Sequence, residues 1–284
     1  MNSTRELILD AYSRIEECYT NRKEPDVIYT GFSDIDNIFG GLRKSELTLI
    51  AGRESSDNTS FVLNLAYNTA ISQDSTTLFI SLQNNAKYIL GKYICIGAEI
   101  NHRDYLHNRL KRTDSLKLKA FADTNQKTLE DNIVAIYSQN FLVSDMDKII
   151  TNFSKINPNG IVIIDSFEQI KIMNYQHSYE EYAENTRQLK NISRNANIPV
   201  LLLCNTKQRK NLYPKLDDLS NYDTLVQDCD NVCFIYNEIL DEGTISNERK
   251  LIVEKHRHGP DMNSDFIFND ATNKFKEQSY IDWR

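Results

Sequence analysis

The sequence predicts an α/β protein built on a mostly parallel sheet, with antiparallel strands at its C-terminal edge and an amphipathic helix at its start. Three observations carry this expectation. Short, near-continuous apolar runs recur along the chain, as parallel strands buried on both faces require. Helical stretches lie between them. The last runs follow one another with no helix between, so they belong to hairpins appended to the parallel sheet.

The first element comes from Ser3 and Glu6, spaced as a capping box, followed by Ile8, Ala11, Ile15, Cys18 and Tyr19 at helical intervals. Residues 1–24 therefore read as one amphipathic helix, stopped by Asn21-Arg22-Lys23-Glu24-Pro25. Such a stripe needs a cover, either the rest of its own chain or a neighbouring subunit. Residues 25–284 are expected to form one domain. Its parallel strands fall at Leu47–Ala51, Leu78–Leu82, Ile161–Ile164 and Val200–Leu203. Its helices fall at Thr59–Ile71, Ala86–Ile96, Met146–Ile156 and Ser178–Asn195. Antiparallel strands follow at Val232–Tyr236, Lys250–Glu254 and Asp265–Phe268.

Over 284 residues, 40% are hydrophobic and 26% charged, which is ordinary usage for a globular protein and excludes wholesale disorder. The net charge of −7 argues against coating DNA by bulk positive charge and leaves room only for a locally basic channel. Cys18, Cys95, Cys204, Cys229 and Cys233 are odd in number and sit mostly inside apolar runs, so they read as reduced, buried thiols. Met1 to Asp10 lacks a signal-peptide core, and no run approaches the ~18 apolar residues of a membrane span. A cytoplasmic protein without a membrane partner is the expectation.

In an open α/β sheet, ligands bind beyond the carboxyl ends of the strands, so the first strand-to-helix turn is the place to look. It reads Gly52-Arg53-Glu54-Ser55-Ser56-Asp57-Asn58-Thr59. A phosphate-binding loop would be G-x-x-x-x-G-K-[ST]. The first Gly and the final Thr are in place, but Asp57 stands at the second Gly and Asn58 at the lysine. Losing the lysine forfeits a charge-assisted bond of roughly 1.5–3 kcal/mol. A carboxylate about 4 Å from a phosphate adds repulsion of about 1–4 kcal/mol. Together these should weaken nucleotide binding by about a hundredfold or more.

Around this turn the chain resembles the C-terminal ATPase domain of the DnaB family of replicative helicases. The resemblance begins with Tyr29-Thr30-Gly31-Phe32-Ser33-Asp34-Ile35-Asp36, Gly40-Gly41-Leu42 and Ala51-Gly52-Arg53. It continues through Ile163-Ile164-Asp165, where the family has its Walker B strand, Ser166-Phe167-Glu168-Gln169, Ile198-Pro199-Val200 and Gln227-Asp228-Cys229-Asp230. It ends with Lys255-His256-Arg257-His258-Gly259-Pro260, similar to K-x-R-N-G-P; RadA-like and KaiC-like proteins share the Thr-Gly-Phe approach but not this close. The resemblance implies a RecA-like P-loop-type fold, with the N-terminal helix in the place of the family's linker helix. That helix, through Ile8, Ala11, Ile15 and Tyr19, would then dock on a neighbouring subunit.

The departures fall on the chemistry. Gln83, in Ser81-Leu82-Gln83, stands where the family has its catalytic Glu, and an amide cannot take a proton from water. Asn205 replaces the Gln that senses the γ-phosphate. In the expected DNA loop, Asp218-Leu219-Ser220-Asn221-Tyr222-Asp223, Ser220 replaces an Arg and Asp223 a Gly, which predicts weak or absent single-stranded DNA binding. Thr59 and Asp165 survive as magnesium partners if a nucleotide binds, though Thr59 could equally cap a helix and Asp165 a strand end. Lys255 and Arg257 match the family's finger, which reaches the neighbour's nucleotide; the alternative is a solvated hairpin face.

Cys229 with Cys233, and His256 with His258 on one expected strand face, lack the further ligands of a zinc site. Glu180, Glu181 and Glu184 read as a solvated helix face. The combined expectation is a DnaB-like pseudo-helicase, a scaffold or regulator of helicase assembly that needs no cofactor. ATP and magnesium would enter only if the degenerate site still binds. Its partners would be copies of itself or DnaB-type helicase subunits. An active helicase with a divergent loop, or a ligand sensor using the vacated pocket, are the alternatives.

Overall fold

A computed structural model describes residues 4–6, 8–9, 12–13, 16, 27–54, 56–125, 131–139, 141–170, 178–206, 212–219, 223–240, 244–259 and 262–278. A short ladder of β1 (Val27–Ile28) and β2 (Leu42–Arg43) brackets helix α1 (Ser33–Phe39). The approach to α1 is a tight turn in which the backbone N–H groups of Thr30 and Gly31 donate to the Asp36 carboxylate at 2.7 and 3.1 Å. Gly31 has φ +75°, and a Cβ there would lie 2.6 Å from Cβ of Asn68, so only glycine lets this turn press onto the next helix. At the front of α1, the Glu277 carboxylate accepts the N–H groups of Ser33 and Asp34, both at 2.8 Å.

The apolar runs become strands β3 (Leu47–Gly52), β4 (Thr77–Ser81), β6 (Ile161–Asp165) and β7 (Val200–Asn205), joined at one edge by β5 (Ile133–Tyr137). All are parallel, and β3, β4 and β6 are buried at every position. Beyond β3 lie β8 (Asn231–Ile239), parallel to it, then antiparallel β9 (Ile245–His256), β10 (Asn263–Asn269) and β11 (Lys274–Glu277). The sheet order is β11-β10-β9-β8-β3-β7-β6-β4-β5. This is a RecA-like α/β sheet with the expected antiparallel edge.

Helices cover both faces. One face packs on α2 (Asn58–Gln73) and α3 (Ala86–Ala98), through Phe61, Val62, Leu65, Ile89 and Tyr93. The other packs on α6 (Val143–Ile156) and α7 (Ser178–Ala196), through Met146, Ile150, Leu189 and Ile192. Strand alternation divides β3 accordingly: Ile50 joins the first core, and Leu47, Leu49 and Ala51 the second. Each such fully buried side chain contributes roughly 1.5–3 kcal/mol. Asn64 stitches α2 to the C-terminal hairpin, donating to Asn273 O at 2.8 Å and accepting from Phe275 N at 3.1 Å.

Periodicity alone did not reveal α4 (His102–Leu106), α5 (Arg112–Thr124), β5 or β11. Only Phe121 of α5 is buried, so that helix has almost no apolar stripe to read. At the N-terminus the described residues between 4 and 16 are helical, and Ile8 is 51% exposed in the single chain. Ala11, Ile15, Cys18 and Tyr19 lie outside the described residues. Cys95, Cys204, Cys229 and Cys233 are buried free thiols. His258 is not on a strand face with His256: it lies in the turn after β9, where its ring meets Glu46 at 2.7 Å.

Candidate nucleotide site

Parallel register gathers the expected site at one rim. Gly52 pairs with Asn205 and Ser81 with Asp165, and β3, β7, β6 and β4 are successive neighbours. The carboxyl end of each strand thus delivers one position: Gly52 and its loop, Asn205, Asp165, and the turn holding Gln83. This is where an α/β sheet binds its ligand.

The loop after β3 is held from within. Ser56 Oγ donates to Arg53 O at 2.7 Å and lies 2.9 Å from the Asn58 side-chain amide. Both side chains lie so close over Gly52 that a Cβ there would overlap them. Asp57 adopts φ +64°, the left-handed conformation that suits a glycine and that aspartate tolerates better than most residues. The backbone at this position has therefore kept a glycine's conformation without the glycine.

The repulsion expected from Asp57 needs correction. Its carboxylate is 2.9 Å from Arg249 Nη2 and 3.3 Å from Arg249 Nε. Arg249 comes from β9, its side chain is 2% exposed, and its guanidinium stacks over the Phe268 ring at 4.9 Å. A phosphate would meet a neutralised pair, not a bare carboxylate. Burial pushes the Asp57 carboxyl up, and the hydrogen bond and charge of Arg249 oppose that push.

The two residues expected to serve a magnesium ion are together. Thr59 Oγ1 donates to Asp165 Oδ2 at 2.8 Å. Burial raises the Asp165 carboxyl to about 6, against the pull of the Thr59 hydrogen bond. One hydroxyl and one carboxylate at the mouth of a helix N-terminus fit a magnesium ion bound with a phosphate. Gln83 Nε2 donates to Ser166 Oγ at 2.8 Å, so the amide is spent holding the strand end and offers no base. Asn205 is exposed at its side chain, and its backbone N–H donates to the Glu168 carboxylate, a residue the sequence did not mark for this role.

Two further residues escaped the sequence reading. One is Arg249. The other is Lys92, on the core face of α3 between Ile89 and Ile96, buried, with its charge felt by both Asp57 and Asp165. The signal for Lys92 was available, because a lysine in phase with a buried helix stripe is unusual. Arg249 gave none, since its partner is 192 positions away.

The residues expected to form the finger lie elsewhere. Asn231 pairs with His256 at one end and with Thr48 at the other side, so Lys255 and Arg257 stand at the amino ends of the parallel strands, opposite the loop. They cannot reach their own chain's site. Lys255 is not on a solvated face: its ammonium donates to the carbonyls of Val226 (2.7 Å), Gln227 (3.2 Å) and Cys229 (2.6 Å), closing the end of α8 (Asp223–Asp228). Arg257 is 56% exposed at its side chain and reaches Asp230 at 2.6 Å. The second Asp230 oxygen accepts from Leu47 N at 2.9 Å and from buried Lys190. Ser220 and Asn221 lie outside the described residues, and Asp223 begins α8.

Comparison with known proteins agrees with this geometry. The family described as DnaB-like helicase C terminal domain matches residues 27–277. The replicative DNA helicase DnaC of Bacillus subtilis is 25% identical over 281 residues, covering 95% of this chain and 61% of its own length. A probable replicative DNA helicase of Trieres chinensis is 29% identical over 251 residues, covering 81% of this chain and 53% of its own length. The chain thus spans little more than half the length of these curated relatives. Among solved structures, the ATPase domain of G40P superposes with a TM-score of 0.86 at 23% identity, covering 97% of this chain and 98% of that one. A DnaB-like replicative helicase solved for its interactions with primase gives a TM-score of 0.85 at 23% identity, covering 96% of this chain and 68% of that one.

Proposed function

The chain belongs to the DnaB-like helicase C-terminal domain family, and on that premise we propose that it is a non-catalytic pseudo-helicase in DNA replication, a scaffold or regulator of helicase assembly. One observation supports this above the rest. The position that should carry the general base is an amide, Gln83, hydrogen-bonded to Ser166, while Asn58 has replaced the loop lysine. Loss of base assistance alone removes roughly 10²–10⁴ in rate. What remains is the shape and the assembly surface.

In this reading residues 1–24 are a linker helix and residues 25–284 the RecA-like domain. The helix docks on a neighbouring subunit through Ile8, Ala11, Ile15 and Tyr19. Arg257, half-exposed at the end opposite the loop, is the finger presented to that neighbour, with Lys255 bracing the turn that carries it. A finger is useful beside a subunit that hydrolyses ATP, so the preferred neighbour is a DnaB-type helicase subunit, with a second copy of this chain as the other arrangement. The protein works in the cytoplasm, and no helix among the described residues is long and apolar enough to cross a membrane.

The intact Thr59–Asp165 contact favours a second reading, an ATP-dependent helicase with a divergent loop. Magnesium-dependent ATPase assays with and without single-stranded DNA separate the two. The expected rate is that of background; robust turnover abolished by Asp165→Ala establishes the helicase instead. Mixing the protein with the host's DnaB-type helicase should change that helicase's ATPase rate, and deleting residues 1–22 should abolish the effect. An unchanged rate with a strictly monomeric protein overturns the scaffold reading.

A further inference from the structure

Arg257 is held by more than the turn it sits in. Its Nη1 donates to Asp230 Oδ1 at 2.6 Å, and its other guanidinium nitrogens make no hydrogen bond among the described residues. The Asp230 side chain is 2% exposed, and its second oxygen accepts from Leu47 N at 2.9 Å and from Lys190. Its backbone N–H donates to Leu47 O at 2.9 Å, so the residue is clamped to β3 twice. Lys190, on α7, also donates to Ser45 O at 2.9 Å. Burial pushes the Asp230 carboxyl up, but the hydrogen bonds from Lys190, Leu47 and Arg257 outweigh it and hold the group below the ordinary carboxylate range. One charged carboxylate therefore serves two cations. Lys190 is 7% exposed at its side chain and Arg257 56%, so the positive charge left over is presented at the arginine. Both cations line one cleft of about 430 Å³, whose other charged walls are Arg187, Arg194, Asp228 and Lys255. Arg187 is paired with Glu184 and Lys255 is spent on carbonyls, so the cleft leaves room beside Arg257 for an anionic group from outside the chain.

We infer, resting on the reading of Arg257 as the finger, that Asp230 and Lys190 are its positioning residues and that each does a separate thing. Asp230 fixes the direction of the guanidinium by holding one arm of its fork, which leaves the free edge for an anion on the neighbouring subunit. Lys190 cancels the Asp230 charge from the buried side, so Arg257 meets that anion as a full cation and not as half of an ion pair. A lysine at position 257 cannot do both, because a compact point charge has no rigid second edge aimed away from Asp230.

Two measurements on the full chain test the assignment. The first needs no partner: NMR relaxation of the arginine Nε–Hε groups, with Arg257→Lys identifying the signal. In wild type the Arg257 group should be more ordered than that of exposed Arg109, and in Lys190→Met/Asp230→Asn it should become as mobile as Arg109. That double variant removes the buried pair as a unit while its new amide still accepts from Leu47, so it should fold, which thermal melting checks. The second is the ATPase rate of the host's DnaB-type helicase in mixtures. The change caused by wild type should fall by at least about tenfold with the double variant and with Arg257→Lys, as with Arg257→Ala. The concentration giving half the change should stay within about threefold, since the assembly surface is untouched. Lys190→Met alone should keep Arg257 ordered yet lower the change about three- to tenfold, a split that loss of structure does not produce. An Arg257 as mobile as Arg109 in wild type overturns the inference, as does a folded double variant or Arg257→Lys that acts as fully as wild type. Should the double variant not fold, the order of Arg257 in wild type and the Arg257→Lys rate decide. If wild type leaves the helicase's rate unchanged, the finger reading falls while the NMR arm still decides whether Asp230 directs Arg257, so the two fail separately.

Discussion

The Asp57 carboxylate and the Arg249 guanidinium meet at 2.9 Å across 192 positions of chain, joining the phosphate loop to the antiparallel edge of the sheet. A residue that should have blocked the site is thereby an internal strut. The arginine is buried and the aspartate 27% exposed at its side chain, so the two ends of the strut are unequal.

That inequality sets the first prediction. Asp57→Gly relieves the positive φ but leaves the buried guanidinium only backbone carbonyls and the more distant Asp270, 3.9 Å away, and Arg249→Met strands a partly solvated carboxylate. Each should cost about 1–4 kcal/mol, and the double variant should cost less than their sum by about 1–3 kcal/mol. Urea unfolding of all four proteins measures the coupling. Simple additivity would show that the contact carries no net energy.

A second prediction concerns the opposite end. Asp230→Asn leaves buried Lys190 (side chain 7% exposed) without its counter-charge and should lower stability by about 3–5 kcal/mol. Arg257→Ala removes only the exposed arm and should cost under about 1 kcal/mol. If Arg257→Ala unfolds the protein as readily as Asp230→Asn, the arginine is structural and its role as a finger fails.

The third prediction is a pH dependence. His102 is buried, its ring edge-on to Tyr88 at 5.2 Å, and its pKa is pushed down to about 4, first by burial and then by the Lys92 charge. The unfolded chain takes up this proton below about 6.5, and the folded chain resists until about 4. Its contribution is therefore complete above pH 6.5 and lost as pH falls towards 4. Thermal melts of His102→Phe should decline less between pH 7 and 5 than those of wild type. Parallel declines would locate the acid sensitivity elsewhere.

Single-stranded DNA supplies the fourth. With Ser220 and Asp223 in the expected loop and a net charge of −7, binding near physiological salt should be weaker than micromolar and without sequence preference. Fluorescence anisotropy with a labelled oligonucleotide measures it. Submicromolar binding that disappears when residues 220–223 are replaced would restore DNA contact to this loop.

What the sequence made legible was decided by how local the physics is. Leu47–Ala51 is buried at every position, and its apolar run announced a central strand without any other part of the chain. Gly52, Thr59 and Asp165 were legible because spacing and residue type suffice to place a loop, a helix start and a strand end. Asn58 and Gln83 were legible as absences. The Asp57–Arg249 pair was not, because a charge's partner is chosen by strand order and register, and no window around position 57 contains position 249. The bonds of Lys255 were hidden for the same reason: the carbonyls it caps lie 26 to 29 residues earlier, at the end of another element.

The bond from Glu277 to the front of α1 has a consequence for synthesis. The N–H groups of Ser33 and Asp34 wait for a carboxylate made 244 and 243 residues later. At roughly 5–20 residues per second, that is about 12–50 s on the ribosome. Throughout that interval the apolar side of α1, with Ile35, Ile38 and Phe39, has no finished sheet to lie on. The earliest helix of the domain to be translated is among the last to be completed, and the nascent chain offers that patch to whatever binds emerging apolar sequence until its final hairpin arrives.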